Sequence, residues 1–169
     1  AFPGETPKVA IAYDCRNNSK ELAQVVADVF SANDIKVFLF SDLRPTPELS
    51  FAVKHLDCHC GIVLTASHNP PEYNGYKVYW QDGGQITKPH DKLILNEINK
   101  LNDINQINSS KNKKNISLLN DKIDKEYIKK IKSLSLNNNS NSNLKIIYTP
   151  IHGTGITQVP NALKEFGFS

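Results

Sequence analysis

Short apolar runs alternate with amphipathic segments along the first part of the chain. The runs at 8–14, 35–40 and 60–65 are bounded by turn residues and have the length of buried strands. Between them, apolar side chains recur at helical spacing over 20–33 and 48–56. The order strand, helix, strand, helix, strand is typical of right-handed βαβ units. We therefore expect an α/β fold, with a layered, mostly parallel sheet that carries helices on both faces.

The pattern changes after the third strand. Residues 76–80 alternate between apolar and polar positions, and Asp82-Gly83-Gly84 supplies a tight turn, so an antiparallel edge strand or hairpin is expected there. A helix at 91–101 would close a first domain that spans residues 1–101. The Asp82-Gly83-Gly84 turn lacks the alternating carboxylates that a metal-binding loop would have, so we do not expect it to bind a metal ion.

The chain then becomes rich in Asn, Lys and Ser. Residues 102–143 bury too little apolar surface to offset their ordering entropy, which predicts a linker or insertion, interrupted by a helical pattern at 121–133. A fresh strand at 144–148 and a helix ending near Phe166 indicate the start of a second α/β domain at 144–169. The absence of an initiator Met and the unpartnered apolar faces of this last segment favour a fragment of a longer protein.

Charge and cysteine content narrow the partners and the compartment. The net charge of +3 comes from 20 basic and 17 acidic residues, and no basic run is interleaved with aromatic residues, so we expect no nucleic-acid partner. No apolar run approaches membrane-spanning length, and we expect no membrane contact. Three cysteines favour a reducing, cytoplasmic location. Cys58-His59-Cys60 leaves metal binding and buried thiols as alternatives.

The loop after the third strand carries the candidate chemistry. Ser67 has small neighbours and is a natural nucleophile, but its hydroxyl needs a base, a metal or a prior phosphate. His68 is adjacent and suggests a serine esterase or phosphatase, although the Gly-x-Ser-x-Gly pattern is absent. A capping serine beside a turn histidine is the alternative without chemistry.

Several motifs in order resemble one enzyme family. Thr65-Ala-Ser-His-Asn-Pro70 with Tyr73-Asn-Gly-Tyr-Lys77 closely resembles the active-serine signature of the α-D-phosphohexomutases, the phosphoglucomutases and phosphomannomutases. The resemblance extends to Tyr13-Asp-Cys-Arg16, Arg44-Pro-Thr-Pro47 and Thr149-Pro-Ile-His-Gly153. It is greatest to the larger bacterial phosphoglucomutase-like branch.

The resemblance implies an isomerase that works as an intramolecular phosphotransferase. Members of the family have four domains around a cleft and interconvert hexose 1-phosphate and 6-phosphate through a phosphoserine, here Ser67, and a hexose 1,6-bisphosphate intermediate that also acts as activator. Glucose phosphates are favoured over mannose phosphates. Mg²⁺ is implied too, bound by the phosphate on Ser67 and by three aspartates of a second-domain loop that this chain lacks.

The resemblance also assigns roles to particular residues. The catalytic candidates are Ser67, His68, Lys77 and Arg16. The candidates for binding substrate or phosphate are Thr65, Asn69, His152 and Gly153. Lys77 matches an acid/base lysine, and Arg16 offers a planar fork to phosphate. Without the resemblance, Arg16 indicates a surface salt bridge, Lys77 a solvated lysine and His152 a turn histidine. We expect the chain alone to be inactive, and a sugar-phosphate-binding module without catalysis is the alternative.

Overall fold

A computed structural model describes residues 4–136 and 144–168, and five strands form one sheet within them. The strands are β1 (Lys8–Tyr13), β2 (Lys36–Phe40), β3 (Cys60–Leu64), β4 (Tyr76–Trp80) and β5 (Ile116–Leu119). Their order across the sheet is β4-β3-β1-β2-β5, and only β4 runs antiparallel to its neighbour. The predicted mostly parallel sheet with one antiparallel edge strand is confirmed.

The helices are α1 (Ser19–Ala32), α2 (Thr46–His55), α3 (His90–Ile98), α4 (Asp121–Lys132) and α5 (Gly155–Glu165). α1 covers one face of the sheet, and α2 with α4 covers the other. Because successive side chains of a strand point to opposite faces, Val9 and Ile11 pack with α1 while Ala10 and Ala12 pack with α2. Each face therefore has its own apolar cluster, and the α/β layering predicted from the sequence is confirmed.

The segment 102–143, which the sequence predicts as a linker or insertion, contains β5 and α4. β5 is part of the sheet, and α4 packs in the helical layer beside it. β5 pairs in parallel with β2, and Ile123 of α4 is 5% exposed in the cluster under α2. A four-residue strand among Asn and Lys has too weak a local signal to be predicted, and pairing with β2 stabilises it. α4 matches the helical pattern at 121–133, and residues 137–143 lie outside the described part of the chain.

The predicted strand at 144–148 does not form. Residues 144–150 have no regular secondary structure, and the side chain of Ile147 is 99% exposed. A strand needs a neighbouring strand for its backbone hydrogen bonds, and no described strand pairs with this segment. α5 nevertheless ends within one residue of Phe166, where the sequence predicts a helix to end, and it packs against α4.

The thiols at Cys58 and Cys60 belong to the interior. Cys58 is 2% exposed in the cluster under α2, and Cys60 packs against the opposite cluster. Burial raises the pKa of Cys58 to about 12 and that of Cys60 to about 11, so both thiols stay protonated at neutral pH. Across residues 4–136 and 144–168, no helix combines the length and apolar content needed to cross a bilayer.

Candidate active site

Ser67 lies in the loop that leaves the carboxyl end of β3. Its backbone adopts a left-handed conformation with φ of 58°, which is uncommon for a residue with a side chain. The backbone N–H of Ser67 donates to the hydroxyl of Thr65 at 3.0 Å, and Thr65 is itself buried. The loop thus presents an exposed serine from a fixed, strained backbone, as functional sites often do.

Arg16 anchors this loop from the end of β1. Its guanidinium donates to four carbonyl oxygens, those of Ser67, Asn69, Pro70 and Tyr73. Arg16 Nη1 lies 2.7 Å from the carbonyl oxygens of both Asn69 and Pro70. Arg16 Nε also donates to the Asp14 carboxylate at 3.1 Å. The side chain is only 7% exposed. The structure therefore places Arg16 as a brace of the loop's backbone, whereas the sequence suggested a fork open to phosphate.

Asp14 and Asn74 complete the brace, and sequence reasoning missed both. The Asp14 carboxylate accepts from the backbone N–H of Arg16 at 3.0 Å and from the hydroxyl of Ser19 at 2.9 Å. The Asn74 amide donates to the same hydroxyl at 2.8 Å. Asp14 and Asn74 lie inside the motifs that carry the family resemblance, so their place in these motifs could have marked them as candidate site residues.

Lys77 makes the contact most relevant to chemistry. Lys77 pairs with Val63 across β3 and β4, which brings it beside the loop at the end of β3. Its Nζ donates to Ser67 Oγ at 2.6 Å. His68 is exposed at the same loop, but the hydrogen bond to Ser67 Oγ comes from Lys77. The serine is therefore paired with a cation, which favours chemistry on an anionic group.

A second wall faces the serine loop across a cleft of about 810 Å³. This wall is the loop before α5, where His152 offers its carbonyl oxygen to the thiol of Cys15. The cleft brings together every predicted site residue except Lys77: Arg16, Thr65, Ser67, His68, Asn69, His152 and Gly153. Residues far apart in the sequence thus converge on one concave surface.

The described residues do not make a magnesium site by themselves. In residues 4–136 and 144–168, no three His, Cys, Asp or Glu side chains are grouped so that they could hold a metal ion. Asp14, which lines the cleft, already accepts hydrogen bonds from Arg16 and Ser19. Mg²⁺ prefers octahedral oxygen coordination, to which a phosphate on Ser67 would bring only part of the ligands.

Comparisons with known proteins point to one family. A family model described as phosphoglucomutase/phosphomannomutase, alpha/beta/alpha domain I, matches residues 2–105. A phosphoglucomutase from Staphylococcus epidermidis is 36% identical over 167 residues, and one from Staphylococcus haemolyticus is 37% identical over 175 residues. These alignments cover 96% and 97% of this chain, but the chain spans only 30% of the length of each relative.

Solved structures lead to the same family. A crystal structure of a proposed phosphomannomutase from Thermus thermophilus superposes with a TM-score of 0.77 at 26% identity, over 96% of this chain and 35% of that one. The open form of parafusin, a phosphoglucomutase from Paramecium, superposes at 0.76 and 17% identity over 98% of this chain and 35% of that one, a likeness of fold. Because the family model covers more than half of the chain, the chain belongs to the phosphoglucomutase/phosphomannomutase family of isomerases.

Proposed function

We propose that this chain is the phosphoserine-bearing part of a hexose phosphomutase that prefers glucose phosphates. The single observation that carries the proposal is the 2.6 Å contact between Lys77 Nζ and Ser67 Oγ, at the tip of a loop braced by Arg16. A phosphoserine carries about −1.5 to −2 charge at neutral pH, and a lysine beside its ester oxygen offsets part of that charge.

The proposed transfer runs in two balanced steps. In the first, the bond from phosphorus to Ser67 Oγ breaks as phosphorus bonds to the 6-hydroxyl oxygen of hexose 1-phosphate. Lys77 gives a proton to Ser67 Oγ and takes up the proton that the 6-hydroxyl releases, so the proton count is unchanged. In the second, the bond from phosphorus to O1 of the reoriented bisphosphate breaks as phosphorus bonds to Ser67 Oγ. Lys77 takes up the serine proton and gives a proton to O1, and hexose 6-phosphate leaves.

The other cleft residues have supporting roles in this proposal. Thr65 and Arg16 hold the serine backbone, because transfer of a phosphoryl group depends mainly on in-line positioning. His68 and Asn69 border the serine, and His152 and Gly153 border the opposite wall, where polar groups can bind the phosphate of the substrate. His68 is therefore assigned a binding role in addition to the catalytic role that the resemblance implies.

The remaining requirements lie outside this chain. Mg²⁺, the metal implied by the family, would bind the phosphate on Ser67 and stabilise its developing charge. The carboxylates for it, and the groups that select the hexose, are assigned to the rest of a longer protein, since the chain spans 30% of its relatives' length. We assign the enzyme to the cytoplasm, in line with the free thiols of Cys15, Cys58 and Cys60.

The test is site mapping of phosphate on the full-length protein that carries this chain. After incubation with glucose 1,6-bisphosphate and Mg²⁺, we expect one phosphoryl group on Ser67 that glucose 1-phosphate removes. Ser67→Ala should abolish both the label and mutase turnover, while the isolated 169-residue chain should show no turnover.

Two results would replace this proposal. If Ser67→Ala leaves turnover intact and Ser67 is never phosphorylated, the chain is a sugar-phosphate-binding module. If Ser67 instead gives a burst of product from activated esters, the site is a hydrolase with His68 as its base.

A further inference from the structure

A buried polar cluster lies between α2, α4 and α5, behind the cleft. It consists of Arg44, Glu48, Asp124 and Gln158, which are 6%, 0%, 8% and 5% exposed. Polar side chains at such depth cost free energy unless they are paired, so their presence calls for a structural reason. Gln158 is also the only buried residue among those described in α5.

The cluster connects parts of the chain that are distant in sequence. Arg44 Nε and Nη2 donate to the two carboxylate oxygens of Asp124 at 2.9 and 2.7 Å. Gln158 Nε2 donates to Glu48 Oε1 at 3.0 Å, across 110 residues of sequence. Glu48 Oε2 lies 3.9 Å from Arg44 Nε and has no hydrogen-bond partner among the described residues. The amide of Gln158 is therefore the polar tie between α5 and α2.

The position of this tie relative to the cleft suggests its role. On one side, Arg44 and Thr46 line the cleft, and α2 begins at Thr46. On the other side, His152 lines the cleft, and Gln158 lies in the first turn of the helix that follows. The contact between Glu48 and Gln158 thus lies about one helical turn behind both walls, where it can set their separation.

We propose that Glu48 and Gln158 are positioning residues that fix the His152 loop opposite Ser67, with Arg44 and Asp124 holding Glu48 in place. Only the catalytic consequence of this role rests on the proposed function. The docking of α5 is a structural property that can be measured without any activity.

Protonation of Glu48 gives this role a pH dependence. Burial, together with the nearby Asp124, raises the pKa of Glu48 to about 8. The charged and titratable groups around it are Arg44 before α2 and Asp124 and Tyr127 on α4, while α5 contributes the neutral Gln158. Since the pKa of this carboxyl is raised in the folded state, it is the protonated form of Glu48 that stabilises docking. The stabilisation is complete at a pH below the ordinary carboxyl pKa and is lost as the pH rises through about 8.

Hydrogen exchange on the 169-residue chain tests the tie. Gln158→Leu removes the amide and leaves Glu48 Oε1 without its hydrogen bond, and it should speed exchange in residues 149–165 by at least about tenfold. Asn161→Leu is the matched control, because Asn161 is exposed on the same helix and its amide bonds only within it. Exchange in β1 and β3 should be unchanged in both variants. Equal exchange in the two variants, or faster exchange throughout the sheet, would overturn the proposal.

Glu48→Gln separates positioning from general stability. The variant keeps a neutral hydrogen-bonding side chain at every pH. After correction for intrinsic exchange rates, residues 149–165 of the variant should stay protected from exchange at a pH above about 8, whereas in the unmodified chain the same residues should lose protection at that pH. The same pH profile in both proteins would refute the role of Glu48. In the full-length protein, Gln158→Leu should lower turnover while Ser67 still accepts phosphate. Loss of Ser67 labelling from the unmodified protein would instead count against the proposed function.

Discussion

The two walls of the cleft are held in different ways. The serine wall is braced locally, since Arg16 bonds to four carbonyl oxygens and Asp14 ties that arginine to the start of α1. The His152 wall has few such contacts among the described residues, mainly one thiol from Cys15 at its tip and one amide from Gln158 behind it. Ser67 is thus preorganised, whereas the opposite wall depends on how α5 docks.

This difference fits the needs of the proposed reaction. Phosphoryl transfer requires the serine oxygen at a fixed place, because a displacement of about 1 Å can cost about 10²-fold in rate. A bisphosphate that must turn over between two transfers also needs a wall that can yield. Gln158 is the one buried residue among those described in α5, so this wall can give way at low free-energy cost while the bond from Gln158 to Glu48 returns it to the same place.

The largest expected effect comes from removing the cation beside Ser67. Lys77→Gln should lower the rate of Ser67 phosphorylation in the full-length protein by about 10²- to 10⁴-fold, because the Ser67 hydroxyl loses the group that takes up its proton. Lys92→Gln, which changes an exposed lysine on α3, is the control. Quenched-flow labelling measures both rates, and equal rates would remove Lys77 from the mechanism.

Disturbing the brace while keeping its charge should have the next largest effect. Arg16→Lys retains a cation but cannot span four carbonyl oxygens and Asp14, so the serine loop should shift and phosphorylation should fall by about 10²-fold. The same labelling assay applies, with Lys20→Arg on the exposed side of α1 as the control. If Arg16→Lys is as fast as the unmodified protein, positive charge alone is what the loop requires.

Some of this architecture was predictable because its signals are local. The runs that became β1, β2 and β3 are apolar, bounded by turn residues and buried, and their boundaries differ from the prediction by one residue at most. Ser67, Arg16 and Lys77 stood inside recognisable motifs, and the structure brings them together.

The rest depends on contacts that sequence spacing cannot reveal. β5 is four residues long and forms because β2 offers an open edge. The pairing of Glu48 with Gln158 spans 110 residues, and neither residue type is expected in a core. The bracing role of Arg16 likewise follows from the path of the 67–73 backbone and not from the motif letters.

A smaller effect is expected where the serine wall meets the turn before β4. A side chain at Gly75 would place its Cβ 2.6 Å from the carbonyl oxygen of Thr65, so Gly75→Ala should force β3 and the turn apart. Overpacking of this kind costs about 1–3 kcal/mol in free energy of unfolding, measurable by urea denaturation. Gly84→Ala is the matched control, since its Cβ would meet an Asp82 carboxylate oxygen at 3.2 Å. Equal stability of the two variants would mean that the wall adapts readily.

The smallest effect is expected at the tip of the His152 wall, where a thiol is the donor. Thiols are weak hydrogen-bond donors, so Cys15→Ala should change the free energy of unfolding by less than about 0.5 kcal/mol. Exchange of the amides at 149–154 should still quicken, because one of the few contacts across the cleft is lost. Cys15→Ser keeps a donor and should retain the original protection. If Cys15→Ala leaves exchange unchanged while Gln158→Leu raises it, the tie behind the wall is sufficient to dock α5, and the comparison between the two walls rests on Gln158 alone.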